Sequence, residues 1–235
     1  TSQMLEFAEE FLSNIDDVDG FILKSKSPSC GIRDVKVYPK NQKCSINKKG
    51  QGIFSSKIIE KYSTIPIEDE GRLKNYNIRD EFLTKIFTIN NLKCENSILD
   101  FHNKNSLLLK SYNEDIYNDL NIIVSKENMD EDDKTLYKNK VYEILNNKRD
   151  KSKILNLIKN IFEKYKTYLS KNEINYFINL LNLYENRKIP FSSVIVAIQI
   201  YATRFDDKDL LNQTFFNPYP IELISIADSG KGRNL

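Results

Sequence analysis

The sequence predicts an α/β N-terminal part followed by an all-α helical bundle, and three observations carry that division. Five of the seven glycines (Gly20, Gly31, Gly50, Gly52, Gly71) precede residue 75, and none recurs until Gly230. The short apolar runs with strand character, Phe21-Ile22-Leu23 and Val35-Lys36-Val37-Tyr38, are confined to the same stretch. From about residue 95 onward, apolar residues recur at helical spacing in segment after segment. Two domains follow, residues 1–93 and 94–235.

Within the first domain, Met4, Leu5, Phe7, Ala8, Phe11, Leu12 and Ile15 mark an amphipathic helix over 3–15, which Asp19-Gly20 breaks. Phe21-Ile22-Leu23 fits a buried strand. It runs into Lys24-Ser25-Lys26-Ser27-Pro28-Ser29-Cys30-Gly31, a loop by composition. Residues 39–52 are polar and basic and read as an exposed loop. A helix near 53–62, an acidic turn at Glu68-Asp69-Glu70-Gly71-Arg72 and a helix over 77–92 complete the domain. Helix, strand and loop in that order form an α/β half-unit, whose chemistry belongs in loops beyond the carboxyl ends of its strands. Two or three strands make only an incomplete, Rossmann-like sheet. The second domain reads as helices near 96–111, 114–126, 133–147, 151–169, 171–186, 191–204 and 207–215. Ser170 and Glu173 form a capping box, and Asn217-Pro218-Tyr219-Pro220 ends the bundle.

Composition excludes several classes. The chain has 235 residues and a net charge of +2, with 40% hydrophobic and 29% charged residues, as expected of a globular protein. No window approaches the ~20 apolar residues of a membrane span, so no membrane partner is expected. The acidic opening TSQMLEFAEE is neither a signal nor a transit peptide. Cys30, Cys44 and Cys94 are odd in number and widely spaced, which excludes a disulfide framework. His102 is the single histidine, so zinc patterns and most histidine-based triads are excluded as well. A cytoplasmic, reducing setting follows.

The loop over 24–31 is the densest chemical candidate. Lys24 and Lys26 make an electropositive setting for Cys30, whose thiolate suits an iron–sulfur cluster or a soft metal. Ser27 lies three residues before it, and Pro28 stiffens the link. The competing reading is a turn with an incidental small thiol. Glu68, Asp69 and Glu70 offer acid–base or cation-binding groups, against a simple solvated turn. His102 reads as a hydrogen-bonded residue of the bundle. Residues 134–171 hold eleven Lys/Arg and three acids, a local surplus of eight on a chain of net +2. Lys148, Arg149, Lys151 and Lys153 sit at a helix junction within that run, where basic side chains can fan toward phosphates. The competing reading is an ordinary lysine-rich face, partly neutralised by Asp130, Glu131, Asp132 and Asp133.

These residues carry a resemblance. The stretch from Asp19 to Gly31, with Val35-Lys36-Val37-Tyr38-Pro39 and Ile67-Glu68-Asp69-Glu70-Gly71-Arg72-Leu73, resembles the latter part of the thiouracil desulfurase (TudS) family. Phe101-His102, Leu107-Leu108-Leu109 and Asn212-Gln213-Thr214-Phe215-Phe216-Asn217-Pro218-Tyr219-Pro220-Ile221-Glu222-Leu223 resemble the YbgA-like helical domain. The two occur fused in the RudS-type desulfidases of 4-thiouridine in tRNA. The resemblance implies a [4Fe-4S] cluster on three cysteines. Its open iron takes the thiocarbonyl sulfur and polarises the C4–S bond while water attacks C4. Cys30 matches one cluster ligand, and Ser27 matches the catalytic serine, expected to relay protons. Lys24 and Lys26, with Lys148, Arg149, Lys151 and Lys153, are the expected substrate and RNA contacts.

The family's other two ligand cysteines and its catalytic acid have no counterpart here. Cys44 and Cys94 do not occupy matching positions. The chain is therefore expected to be an N-terminally truncated piece of a longer desulfidase, inactive as it stands, because one thiolate cannot retain a four-iron cluster. Two further readings stay open: a non-catalytic RNA-binding or scaffold module, and a desulfidase of free thiouracil or its nucleotide.

Overall fold

The computed structural model of the protein describes residues 2–15, 17–37 and 46–225. The chain divides into two compact units, Thr1–Cys94 with Tyr219–Leu235, and Glu95–Pro218. The small sheet followed by a mostly helical region agrees with the expected α/β part and all-α bundle. None of the described helices is long and apolar enough to cross a membrane.

The first unit runs α1 (Ser2–Ser13), β1 (Phe21–Leu23), β2 (Val35–Val37), β3 (Ile46–Gly50), α2 (Ile53–Lys61), β4 (Ile67–Asp69) and α3 (Tyr76–Cys94). β1 and β4 pair in parallel, Phe21 against Ile67 and Leu23 against Asp69. Parallel strands require a long crossover, and β2, β3 and α2 lie within it. Leu12, Leu23, Ile32 and Ile58 form the buried core between α1, β1 and α2, with Phe21, Phe54 and Tyr62 packed around it. The Phe21 and Tyr62 rings lie 5.0 Å apart, and the Tyr62 hydroxyl donates to the Ile15 carbonyl at 3.1 Å. From Tyr219 the chain belongs to this unit, where the Tyr219 hydroxyl donates to Asp80 Oδ1 on α3 at 2.6 Å. The sequence reading instead groups these residues with the bundle.

Two local expectations are corrected. Part of the anticipated loop over 39–52 is strand β3, antiparallel to β2, with Gly50 opposite Val35. The polar run INKKG carries no alternation to announce it. Residues 38–45, Cys44 among them, lie outside the described residues. The anticipated acidic turn begins as β4, in which Glu68 and Asp69 are buried.

The second unit holds α4 (Ile98–Tyr112), α5 (Glu114–Val124), α6 (Glu131–Asn146), α7 (Lys151–Lys166), α8 (Lys171–Glu185), α9 (Phe191–Arg204) and α10 (Lys208–Leu211). Side chains of Ser97, Asn113, Asp130, Asp150, Ser170 and Asp207 accept from first-turn N–H groups, which explains where six of these helices start. Ser170 and Glu173 complete the expected capping box. The α7 stripe Ile154, Leu155, Ile158, Ile161, Phe162 and Tyr165 is buried, and Phe162 stacks on Phe177 of α8 at 4.0 Å. The last helix is shorter than the expected 207–215 because the chain turns back at Gln213. The Gln213 side-chain oxygen takes the Ser106 hydroxyl (3.0 Å) and the Leu107 N–H (3.1 Å), and its amide donates to the Asn103 carbonyl (2.7 Å). Thr214 N–H adds a bond to the Lys104 carbonyl at 3.0 Å. A clasp on α4 therefore replaces about one more helical turn.

Candidate functional site

The loop between β1 and β2 leaves the carboxyl end of β1, beside that of β4. Its conformation is set by the start of α2. The first turn of a helix has N–H groups without intrahelical acceptors, and α2 has no capping side chain, since its N-cap is Gly52. The loop supplies the acceptors. Ile53 N–H donates to the Pro28 carbonyl (3.4 Å), and Phe54 N–H (2.9 Å) and Ser55 N–H (3.1 Å) both donate to the Ser29 carbonyl. Gly52 N–H donates to the Gly31 carbonyl at 2.8 Å, and the fully buried Ser55 hydroxyl reaches the same oxygen at 2.8 Å. Glycine is required at 52 for space alone. A Cβ there would lie 2.3 Å from the Ser29 carbonyl oxygen.

Inside the loop, the three reactive side chains form a chain of contacts. Ser27 Oγ accepts N–H groups of Ser29 and Cys30, each at 3.3 Å. It lies 3.1 Å from Ser29 Oγ, which lies 3.3 Å from Cys30 Sγ. With both Ser27 lone pairs facing N–H groups, its own hydrogen is free for Ser29 Oγ, and the Ser29 hydrogen then points at sulfur. Ser27, Ser29 and Cys30 are all partly exposed, so a ligand can reach them. The sequence reading named Ser27 and Cys30 but passed over Ser29, which joins them. Its signal was the alternation Ser-Pro-Ser-Cys.

The acidic residues brace this loop. Glu70 Oε2 accepts the Ser25 N–H at 2.6 Å, fixing the start of the loop. Glu68 Oε1 accepts from Arg72 Nε at 2.9 Å and from the Asp69 N–H at 3.0 Å, with Arg33 Nη2 at 3.8 Å. Asp69 Oδ1 accepts the Arg72 N–H at 2.9 Å. Glu68 and Asp69 are thus buried and tied to the turn, and Glu70, though exposed, is held to the loop. Among the described residues no group of three His, Cys, Asp or Glu converges on a metal position. Cys94 is exposed at the end of α3, and Cys30 stands as a single thiol at the loop. The described residues therefore do not by themselves fit a four-iron cluster, which takes several thiolates.

The basic residues divide. Lys24 and Lys26 are exposed at either end of the Ser25 turn. At the α6–α7 junction, Lys148 and Lys153 are exposed. Lys151 Nζ instead donates to the Tyr184 and Glu185 carbonyls at 2.8 and 2.9 Å, where it complements the negative end of α8. It also lies 4.6 Å from the Tyr184 ring, and Arg149 lies over Tyr112 at 5.4 Å. Elsewhere in the run, Lys134, Lys140 and Lys166 pair with Glu131, Asp119 and Glu163. The outward positive charge is thus smaller than the sequence surplus. His102 is buried, with Nδ1 3.0 Å from the Tyr137 hydroxyl and Nε2 2.9 Å from Asn121 Oδ1. A neutral ring protonated at Nε2 satisfies both partners. Burial holds its pKa below the usual histidine value despite the bond to Asn121.

Comparison with known families adds two findings. A family described as 2-thiouracil desulfurase matches residues 1–70, the stretch that carries the loop and its acidic brace. A family described as a protein of unknown function (DUF1722), the YbgA-like domain, matches residues 106–220. No curated protein and no solved structure matches the chain. The two matches together support a fusion of a thiouracil-desulfurase-like part with a YbgA-like helical part, and they suggest a desulfurase-type role.

Proposed function

We propose that the chain serves the desulfidation of a thiolated uridine, 4-thiouridine in tRNA becoming uridine, as in a RudS-type desulfidase. The carrying observation is the Ser27–Ser29–Cys30 contact chain, clamped by the N-terminus of α2 at the carboxyl ends of two parallel strands. The net conversion exchanges the thiocarbonyl sulfur for a water oxygen and releases hydrogen sulfide. The carbon–sulfur bonds break, carbon–oxygen bonds form, and both water protons end on sulfur, with no redox change. In this reading Ser27 Oγ passes its hydrogen to Ser29 Oγ and takes one of those protons in its place, one of the two long N–H bonds to it yielding the lone pair. If a [4Fe-4S] cluster is bound, Cys30 Sγ would be one of its thiolate ligands and the cluster would supply the Lewis acid for the departing sulfur, since the described residues do not hold it by themselves. The helical unit meets the RNA backbone through its outward lysines, Lys148 and Lys153 foremost.

The test uses the photochemistry of the substrate. 4-Thiouridine in tRNA cross-links to adjacent side chains under near-ultraviolet light. Cross-linked peptides from residues 24–31, suppressed by excess thiolated tRNA, are the expected result. Cross-links confined to other peptides would remove the substrate-facing role. A second reading, an RNA-binding module without chemistry, is favoured by the single thiol that the described residues place at the site. It predicts tRNA binding that is indifferent to thiolation and leaves residues 24–31 unlabelled.

A further inference from the structure

We propose that the turn joining α7 to α8 is a stacking platform for an unpaired nucleobase of RNA, built from Tyr168 and Phe205 and served by the outward lysines of α7. The proposal rests on the reading of the helical unit as the RNA-binding part. Tyr168 is 69% exposed, yet its backbone is held on both sides. Its N–H donates to the Tyr165 carbonyl at 2.8 Å, the Leu169 N–H donates to the Lys166 carbonyl at 3.4 Å, and the Ser170–Glu173 capping box starts α8 two residues later. The Tyr168 ring lies 5.5 Å from that of Phe205, tilted by 45°. Phe205 is half-buried and stacks in turn on Tyr165, at 5.5 Å and 11°, while Arg204 lies over the Phe205 ring at 5.2 Å. Tyr165 anchors the ladder, being buried with its hydroxyl donated to Asp207 Oδ2 at 2.7 Å. The rings are therefore fixed from the core outward, and the outermost is left exposed.

Charge decides which partner suits this surface. α7 runs for about 24 Å, and Lys153, Asn156, Lys159, Asn160, Glu163 and Lys164 along it are all exposed. Glu163 is paired with Lys166 at 2.9 Å. Lys153, Lys159 and Lys164 form no ion pair with another described residue, and neither does Lys171 at the start of α8. The acids around the rings are committed: Glu173 to the α8 cap and to Arg204, Asp206 to Lys208, and Asp207 to Tyr165 and the Leu210 N–H. Asp209 is the exception, one acid against four lysines. That balance fits phosphates and opposes a basic partner. Single-stranded nucleic acid needs both parts at once, ammonium groups along its backbone and a ring on which a base can stack. A duplex keeps its bases paired within the helix and has none to lay on Tyr168.

The chain contains no tryptophan, so Y168W places a single reporter ring on the platform. Its fluorescence is followed as unthiolated oligouridine of about ten nucleotides is added to the full chain, and the affinities of Y168A, Y168F and the parent chain for the same oligomer are compared. Neither readout involves sulfur chemistry or residues 24–31. Saturable quenching of Y168W is expected, with binding about 5- to 100-fold weaker in Y168A and unchanged in Y168F, because the ring and not the hydroxyl is used. Oligouridine that binds without quenching Y168W, or equal affinity in Y168A and the parent chain, would overturn the platform. So would equal quenching by an RNA duplex, or by oligoglutamate, which would assign the surface to an acidic protein. In each of these cases the RNA-binding reading stands if K148E/K153E still weakens tRNA binding. Failure of the parent chain to bind any RNA overturns that reading and the platform together.

Discussion

Replacing Gly52 with alanine isolates the clasp that shapes the loop. Gly52 has φ −71° and ψ 152°, an ordinary extended conformation, so alanine meets no backbone penalty. It would even restrict the unfolded chain, a gain of about 0.4–1 kcal/mol at a compatible site. The obstacle is space. The new Cβ would lie 2.3 Å from the Ser29 carbonyl oxygen, 2.4 Å from the Ser29 carbonyl carbon and 2.8 Å from the Cys30 nitrogen. Those atoms are backbone, and the gap falls short of a relaxed contact of ~3.5–4.0 Å by more than 1 Å. Relieving it moves the carbonyl that accepts both Phe54 and Ser55 N–H groups. Overpacking costs about 1–3 kcal/mol and each lost bond about 1 kcal/mol, so G52A should lose about 2–4 kcal/mol. Hydrogen exchange is the assay, because it reports the amides of residues 52–55 separately from the helical unit. G71A is the control. Its nearest neighbour is the Asp69 side-chain oxygen at 3.1 Å, a contact that a shift of a few tenths of an ångström relieves while the bond to the Arg72 N–H is kept, and its exchange should match the parent chain. Equal protection of Phe54 and Ser55 in G52A and the parent chain would refute the steric account.

Other expected outcomes follow from single contacts. S55A removes a buried hydroxyl from the Gly31 and Gly52 carbonyls (2.8 and 3.0 Å) and should cost about 1–2 kcal/mol in urea unfolding of the first unit. Q213A opens the clasp on α4 and should lower the melting point of the second unit through three lost hydrogen bonds. Because His102 has a depressed pKa in the folded state, the unfolded chain takes up its proton first as pH falls. Stability should therefore decline from about pH 6.5 down to the folded pKa, and H102Q should flatten that slope in pH-dependent unfolding. For tRNA binding, K148E/K153E should reduce the magnitude of the log–log salt slope by roughly one unit per lost phosphate contact. K151E should instead destabilise the end of α8, visible in thermal unfolding without RNA.

The bundle was legible because its signals are local. Asp150 and Ser170 sit at helix starts, and the α7 stripe has the period of the buried face. The end of the last helix was not, because Gln213 stops it by binding residues more than a hundred positions earlier. In the first unit the apolar strand β1 could be read, whereas β4 could not. Glu68 and Asp69 look like a solvated turn until Arg72 and the backbone supply their partners. The outward charge of the basic run is smaller than its residue count for a related reason. Sequence counts charges, but Lys151 spends its ammonium on helix carbonyls and Arg149 lies on an aromatic ring.

The candidate site shows the same divide between local and distant causes, and the distant part decides its chemistry. Ser-Pro-Ser-Cys-Gly declares a turn with a hydroxyl and a thiol, yet nothing in those five residues fixes where either points. That is settled by the start of α2, more than twenty residues later, whose unpaired N–H groups take the carbonyls of Pro28 and Ser29. The loop is in turn the only cap that this helix start has among the described residues, since Gly52 offers no side chain. Ordering the loop and forming the first turn of α2 are therefore one event. Ser27, Ser29 and Cys30 arrive pre-aligned without any ligand, and the ordering entropy that a substrate would otherwise have to supply has already been met by folding. A site organised in this way should lose substrate affinity and helix protection together when the clasp is loosened, rather than one without the other.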